Sequence, residues 1–114
     1  MSIRIGNICI DTNDLAASAT FWRAVTGYDI ESSDDRSMYL HDSIRNGVGL
    51  SLQVVPEARV GKNRLHLDLF TANLPGEVAR IRELGATEVN RFDADGWVVL
   101  ADPAGNQFCV VGEG

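Results

Sequence analysis

Several things this chain has little of narrow its class before any motif is read. It holds two cysteines, Cys9 and Cys109, far apart, each in a stretch expected to be a strand. No closely spaced pairs suggest a disulfide framework. The expectation is free, mostly buried thiols in a reducing compartment, the cytoplasm. Positive charge is also short: 10 Lys and Arg stand against 16 Asp and Glu, for a net charge of −6. That argues against nucleic-acid binding, which shows a basic face, and against adhesion to an anionic membrane. An acidic balance suits cationic or neutral small ligands and is equally common among soluble cytosolic proteins. No apolar run approaches the ~20 residues of a membrane span, and Met1-Ser2-Ile3-Arg4-Ile5 lacks the apolar stretch of a signal peptide. Histidine is scarce too, at His41 and His66.

What is present fits one domain: 114 residues, 45% hydrophobic, enough to bury a core without disulfides or structural metal. Residues 3–10 read as a strand. Thr12 or Asn13 then offers an N-cap, and Leu15, Ala19, Trp22 and Val25 recur at helical spacing until Gly27 stops the helix. Strands are expected at 28–31, 37–41 and 49–55. Ser32-Ser33-Asp34-Asp35 forms a turn and 42–47 a connection. Pro56 to Asn63 reads as a linker.

The pattern then repeats. In Arg64-Leu65-His66-Leu67-Asp68-Leu69-Phe70 the leucines alternate with a chemically varied set, the period of a strand with one apolar face. Asn73 caps a helix through Leu84 with Pro75 in its first turn, and Gly85 ends it. Strands are expected at 87–89, 97–101 and 107–111. The last two are joined by Asp102-Pro103-Ala104-Gly105-Asn106, a turn with proline early and glycine late. The order is βαβββ, linker, βαβββ, with modules 1–57 and 62–114. Asn13-Asp14-Leu15 answers to Ala72-Asn73-Leu74, which places Asn7 opposite His66. Each half is too small to bury its own sheet face, so the halves are expected to pair.

Taken in order, Asn13-Asp14-Leu15, Phe21-Trp22, Gly27-Tyr28, Leu65-His66-Leu67-Asp68-Leu69, Leu84-Gly85-Ala86 and Asp102-Pro103-Ala104-Gly105-Asn106 resemble the vicinal oxygen chelate superfamily. Glyoxalase I, extradiol dioxygenases and the fosfomycin and bleomycin resistance proteins share that fold. Gly61-Lys62-Asn63-Arg64-Leu65-His66-Leu67-Asp68 further resembles a glyoxalase-like branch common in actinobacteria. The resemblance implies an α+β fold in which two βαβββ modules form a curved mixed β-sheet around a cleft, in a homodimer. It also implies metal-ligand positions on the first and fourth strands of each module, here Asn7, Gln53, His66 and Cys109. Only His66 is a ligand of the family type. Neutral amides offset no ionic charge, and zinc normally wants three or four strong protein ligands. The expectation is therefore no cofactor, with a divalent metal held by an altered set, Asp68 standing in, as the third alternative.

His66 reads either as a strand histidine bonded to Asp68 or Asn7, or as a ligand-positioning or acid–base group. Asp68 shares its face and would fix its tautomer, or would pair with Arg64. Cys109 is a small buried hydrophobe unless a nearby base lowers its pKa. Gln53 and Ser51 would supply hydrogen bonds in an apolar cleft. Trp22 is expected in the core, Tyr39 and Trp97 on the cavity wall, His41 exposed, and Arg64 and Lys62 at the cleft entrance. The expected function is binding of a small organic molecule, as a lyase, isomerase or glyoxalase-like enzyme. In that reading His66 and Asp68 are the catalytic candidates, and Asn7, Gln53, Cys109, Ser51, Arg64, Trp97 and Tyr39 contact the ligand. The alternative is a non-catalytic protein that sequesters a drug.

Overall fold

In the computed structural model, which describes residues 2–44 and 47–113, the chain divides into two units, 1–58 and 59–114. The first unit contains β1 (Asn7–Thr12), α1 (Leu15–Thr26), β2 (Asp29–Ser33), β3 (Ser37–His41) and β4 (Gly49–Val54). The second contains β5 (Asp68–Thr71), α2 (Leu74–Glu83), β6 (Thr87–Phe92), β7 (Trp97–Ala101) and β8 (Gln107–Gly112). Each is a βαβββ module with its own four-stranded mixed sheet, ordered β1-β4-β3-β2 and β5-β8-β7-β6. The crossover pairs β1–β4 and β5–β8 are parallel and the others antiparallel. The repeat extends to irregularities: register shifts occur between Ile30 and Ser32 in β2 and between Glu88 and Asn90 in β6.

Alternation along the strands gives each sheet two chemically different faces. In the first unit α1 packs on β3 and β4, and the face it covers carries Leu40, Leu50 and Leu52, all buried. Phe21 and Trp22, each 1% exposed, meet edge to face at 5.2 Å. In the second unit α2 packs on β8 with Val78 and Ile81 buried, and Val98, Leu100, Phe108 and Val110 fill the sheet face beneath.

The helix starts show how local chemistry sets the elements. The N-cap of α1 is Asp14 rather than Thr12 or Asn13: its carboxylate accepts from Ala17 N at 3.1 Å. Thr12 accepts from Asp14 N instead and shares a buried hydrogen bond with Ser18 at 2.7 Å. The Asn13 amide donates to the carbonyls of Val55 and Glu57, tying down the chain after β4. Asn73 caps α2 through Gly76 N, with proline in the first turn as expected. Gly27 closes α1 in the left-handed region at φ 75°, donating to the Arg23 carbonyl.

Other boundaries differ from expectation. β1 begins at Asn7, and Ile3 and Ile5 are 85% and 79% exposed. β4 begins at Gly49, register-paired with Asn7, so its ladder has no partner to offer earlier residues. β2 and β6 run on to Ser33 and Phe92. Part of the expected 42–47 connection, at 45 and 46, lies outside the described residues.

The β2–β3 turn depends on one carboxylate. Asp34 accepts from the backbone N–H groups of Arg36 and Ser37 at 2.8 and 2.9 Å, and these bonds hold its carboxyl below the usual pKa. A folded-state pKa below the unfolded value stabilises at neutral pH, and that stabilisation disappears as pH falls through the folded pKa. Asp34→Ala should therefore melt earlier than wild type at pH 7. The two curves should converge in acid, as read by circular dichroism melts across a pH series.

Candidate functional site

The distinctive chemistry lies on the face of the second sheet away from α2. Asp68 is register-paired with Cys109 across the parallel β5–β8 ladder, and the same row continues through Val99 to Asn90. The neighbouring row on that face is Phe70, Val111, Trp97 and Phe92, one residue from each strand. Trp97 and Phe92 have ring centroids 5.4 Å apart, and Phe70 is 66% exposed. A mostly apolar row thus borders one that carries a carboxylate, a thiol and an amide.

His66 enters from outside the ladder. The strand expected from Arg64 begins only at Asp68, and Leu65, expected on an apolar face, is 89% exposed. The preceding segment is held by a side chain instead of by strand pairing. Asn63 accepts from Gln107 N at 2.8 Å and donates to the Gln107 carbonyl at 3.1 Å and to that of Leu65. A side-chain amide here does what the next ladder residue would have done. Cys109 N donates to the Leu67 carbonyl at 2.9 Å. His66 is thereby set between two fixed points, and its Nε2 lies 3.2 Å from Asp68 Oδ1. Of the partners considered for Asp68, the structure selects His66.

The donor atoms of His66, Asp68 and Cys109 all lie within 4.8 Å of one another. Burial pushes the Cys109 thiol pKa up and the Asp68 carboxylate adds to this, while the Lys62 ammonium opposes it. Cys109 is therefore a protonated thiol at neutral pH, not a ready nucleophile. It is buried as expected, whereas Cys9 is exposed. Arg64 and Lys62 are exposed.

The corresponding face of the first sheet is polar. Asn7 Nδ2 donates to Ser51 Oγ at 2.7 Å and Gln53 Nε2 donates to Asp11 Oδ1 at 3.1 Å. Tyr39 stands beside Ser51 in the register and is 44% exposed. A cavity of about 190 Å³ lies against Asn7, Glu31, Tyr39, His41 and Gly49. His41, expected exposed, is half-buried, with Nδ1 2.8 Å from the Asp42 carbonyl oxygen.

The expected ligand set fails in this unit. Asn7 pairs with Gly49, whereas Gln53 pairs with Asp11. The two are thus four ladder positions apart, roughly 13 Å along the strand at ~3.3 Å per residue, too far to share one ion. The β4 residue that Asn7 reaches is Ser51. Superposing Asp14 on Asn73 also makes Ser51, not Gln53, the counterpart of Cys109. A hydroxyl and a neutral amide do not supply the charged donors of a divalent-metal site, so the four-position set Asn7, Gln53, His66 and Cys109 does not fit that metal. Sequence reasoning missed Asn63 as a positioning residue. Its signal was an amide side chain placed just before a shortened strand.

Known proteins show the same organisation. Residues 7–111 match the model of the glyoxalase-like domain family. No curated protein matches. Among solved structures, a glyoxalase/bleomycin resistance protein/dioxygenase family enzyme from Burkholderia phytofirmans is 17% identical. The match covers 96% of this chain and 98% of that one, at a TM-score of 0.79. The fosfomycin resistance protein FosX from Mesorhizobium loti is 10% identical over 100% and 94% of the two chains, with a TM-score of 0.81. A Listeria monocytogenes FosX variant, complexed with Mn(II) and a dihydroxypropylphosphonic acid, is 15% identical over 99% and 93%, with a TM-score of 0.76. At these identities the structures establish the fold, and the family match spans most of the sequence. The chain belongs to the glyoxalase-like domain family.

Proposed function

We propose that the chain binds a small organic molecule on the face of the second sheet away from α2, as a glyoxalase-like lyase or isomerase with His66 as its polar centre. The observation that carries this is the placement of His66, Asp68 and Cys109 beside the row Phe70, Val111, Trp97 and Phe92. The aromatic row supplies apolar contact, and the trio supplies the few polar atoms that orient a ligand. Asp68 holds the imidazole in one orientation, which is what a proton-handling or ligand-polarising histidine requires. The polar face of the first sheet, with Asn7 and Tyr39 at its cavity and Ser51 bonded to Asn7, offers hydrogen bonds of its own. A homodimer is the assembly this reading expects, from the family resemblance. Among the described residues no helix is long and apolar enough to cross a membrane.

The second reading, sequestration without chemistry, is favoured by the net charge of −6, which suits a cationic drug. One experiment separates the two. The purified protein is screened for binding and turnover against small oxygenated molecules that include fosfomycin and bleomycin, and any hit is repeated with His66→Ala. An enzyme should lose ~10²–10⁴-fold in turnover with a much smaller loss of affinity. A sequestering protein should show no turnover and lose affinity alone. If binding and turnover are both unchanged in the variant, His66 is not the centre.

A further inference from the structure

The row Phe70, Val111, Trp97 and Phe92 carries a ring at three of its four positions, and the exception stands between two of them. One step across the sheet separates Phe92 from Trp97, whose ring centroids are 5.4 Å apart. Trp97 and Phe70 are two steps apart, with the short side chain of Val111 between them. At about 4.8 Å per strand, two steps span roughly 9.6 Å. That is too wide for the two rings to pack on each other, since aromatic pairs have centroids about 4.5–7 Å apart. It is the width for one ring inserted between them, which would stand about 5 Å from each. A ring over Val111 would continue the spacing that Phe92 and Trp97 already show. The place is open to a ligand: Phe70 is 66% exposed, and Val111 and Trp97 are half-buried.

One end of this place is polar. Two residues back along β5 and β8 stand Asp68 and Cys109. At ~3.3 Å per residue their row lies roughly 6.6 Å from a ring seated on Val111. Subtracting a hydrogen bond of about 2.8 Å leaves roughly 4 Å, the reach of a substituent one or two bonds beyond the ring. There it meets the Asp68 carboxylate, which accepts from donors and repels a second anion. His66 Nε2 is 3.2 Å from the same carboxylate, so a group held by Asp68 lies beside the imidazole.

We propose that the space over Val111, between Phe70 and Trp97, seats a single aromatic ring, and that the molecule carrying the ring directs an amino or hydroxyl group at Asp68. The seat for the ring stands by itself. The role of the polar group rests on the function proposed above, which it narrows to small aromatic amines and alcohols.

Proton–nitrogen correlation spectra of the nitrogen-15-labelled full chain test this, with benzylamine as the probe. The two tryptophans give separate indole N–H signals, told apart by Trp97→Phe. Benzylamine should shift the Trp97 signal along a saturating curve, with a Kd on the order of 1 mM for so small a molecule. The signal of Trp22, 1% exposed, should stay in place. Cyclohexylmethylamine, which has no aromatic face, should bind at least ~5-fold more weakly. Phenylacetate, whose anion would face Asp68, should also bind more weakly. Phe70→Leu, a change at an exposed side chain, should weaken benzylamine about 2–10-fold. Val111→Phe supplies the ring from the chain itself and should abolish binding, with a thermal melt to show that the variant is folded. The seat is overturned if benzylamine leaves the Trp97 signal unmoved, if cyclohexylmethylamine binds equally, or if Phe70→Leu or a folded Val111→Phe binds like wild type. Equal binding of phenylacetate would mean that Lys62, whose charge reaches Cys109, sets the polarity, and overturns the assignment of the donor group. Should a non-aromatic molecule be turned over in a His66-dependent way while benzylamine does not bind, the seat falls and the proposed function stands. If benzylamine binds as described and His66→Ala changes neither affinity nor turnover for any molecule, the seat stands and that function falls.

Discussion

Trp22→Ala should lower the unfolding free energy by about 3–5 kcal/mol, the range for deleting a large aromatic from a packed core. Trp22 is 1% exposed and meets Phe21 edge to face on a helix that packs over β3 and β4. A small domain holds about 5–15 kcal/mol in total, so this one change removes a large share of it. Urea unfolding followed by far-ultraviolet circular dichroism measures the loss, and Trp22→Phe should recover much of it because the replacement keeps a ring. A cost below about 0.5 kcal/mol would place Trp22 outside the load that α1 carries, since that is the range of surface substitutions.

Asp102→Ala should have the second large effect, for a polar reason. The Asp102 side chain is 3% exposed, at the mouth of the β7–β8 turn. It accepts from Ala104 N at 3.0 Å, from Asn106 N at 2.8 Å and from Asn106 Nδ2 at 3.3 Å. Hydrogen bonds to a charged acceptor are worth about 1.5–3 kcal/mol each, and removing the acceptor leaves part-buried N–H groups unpaired. The expected loss is about 3–4 kcal/mol after discounting for non-additivity. Asp102→Asn keeps an oxygen for the backbone bonds but turns a donor toward Asn106 Nδ2, so it should fall between the two. The turn delivers β8 and Cys109 with it, so hydrogen exchange at Cys109 N should quicken in Asp102→Ala. Unchanged exchange there would mean that β8 keeps its register without the turn.

These two residues mark what the sequence could and could not disclose. The helices, the turn at Asp102 and strands β7 and β8 were legible because their signals are local: apolar spacing, caps, proline and glycine. The repeat was legible because Asp14 and Asn73 fall at matching places. The starts of β1 and β5 were not, because a strand begins where its partner does, and that partner lies some 40 residues away in sequence. Ile3 and Ile5 alternate convincingly, yet among the described residues no strand pairs with them. Register also decided the site. His66, Asp68 and Cys109 were each visible as candidates, but only the pairing of Asp68 with Cys109 brings them together. The same kind of information removed Gln53 from the neighbourhood of Asn7. The choice of Asp14 over Thr12 and Asn13 as N-cap was a choice among three capable neighbours, which composition does not rank.

The matched registers of the two sheets make the chain its own template. Positions 7, 9 and 51 stand to one another as 66, 68 and 109 do, so Asn7→His, Cys9→Asp and Ser51→Cys would write the same trio onto the other copy. The two versions would differ in stiffness, because residue 7 lies inside its ladder whereas His66 hangs from the Asn63 clamp. One half of the repeated chain brings an imidazole, a carboxylate and a thiol together, and the other keeps a blank of the same shape.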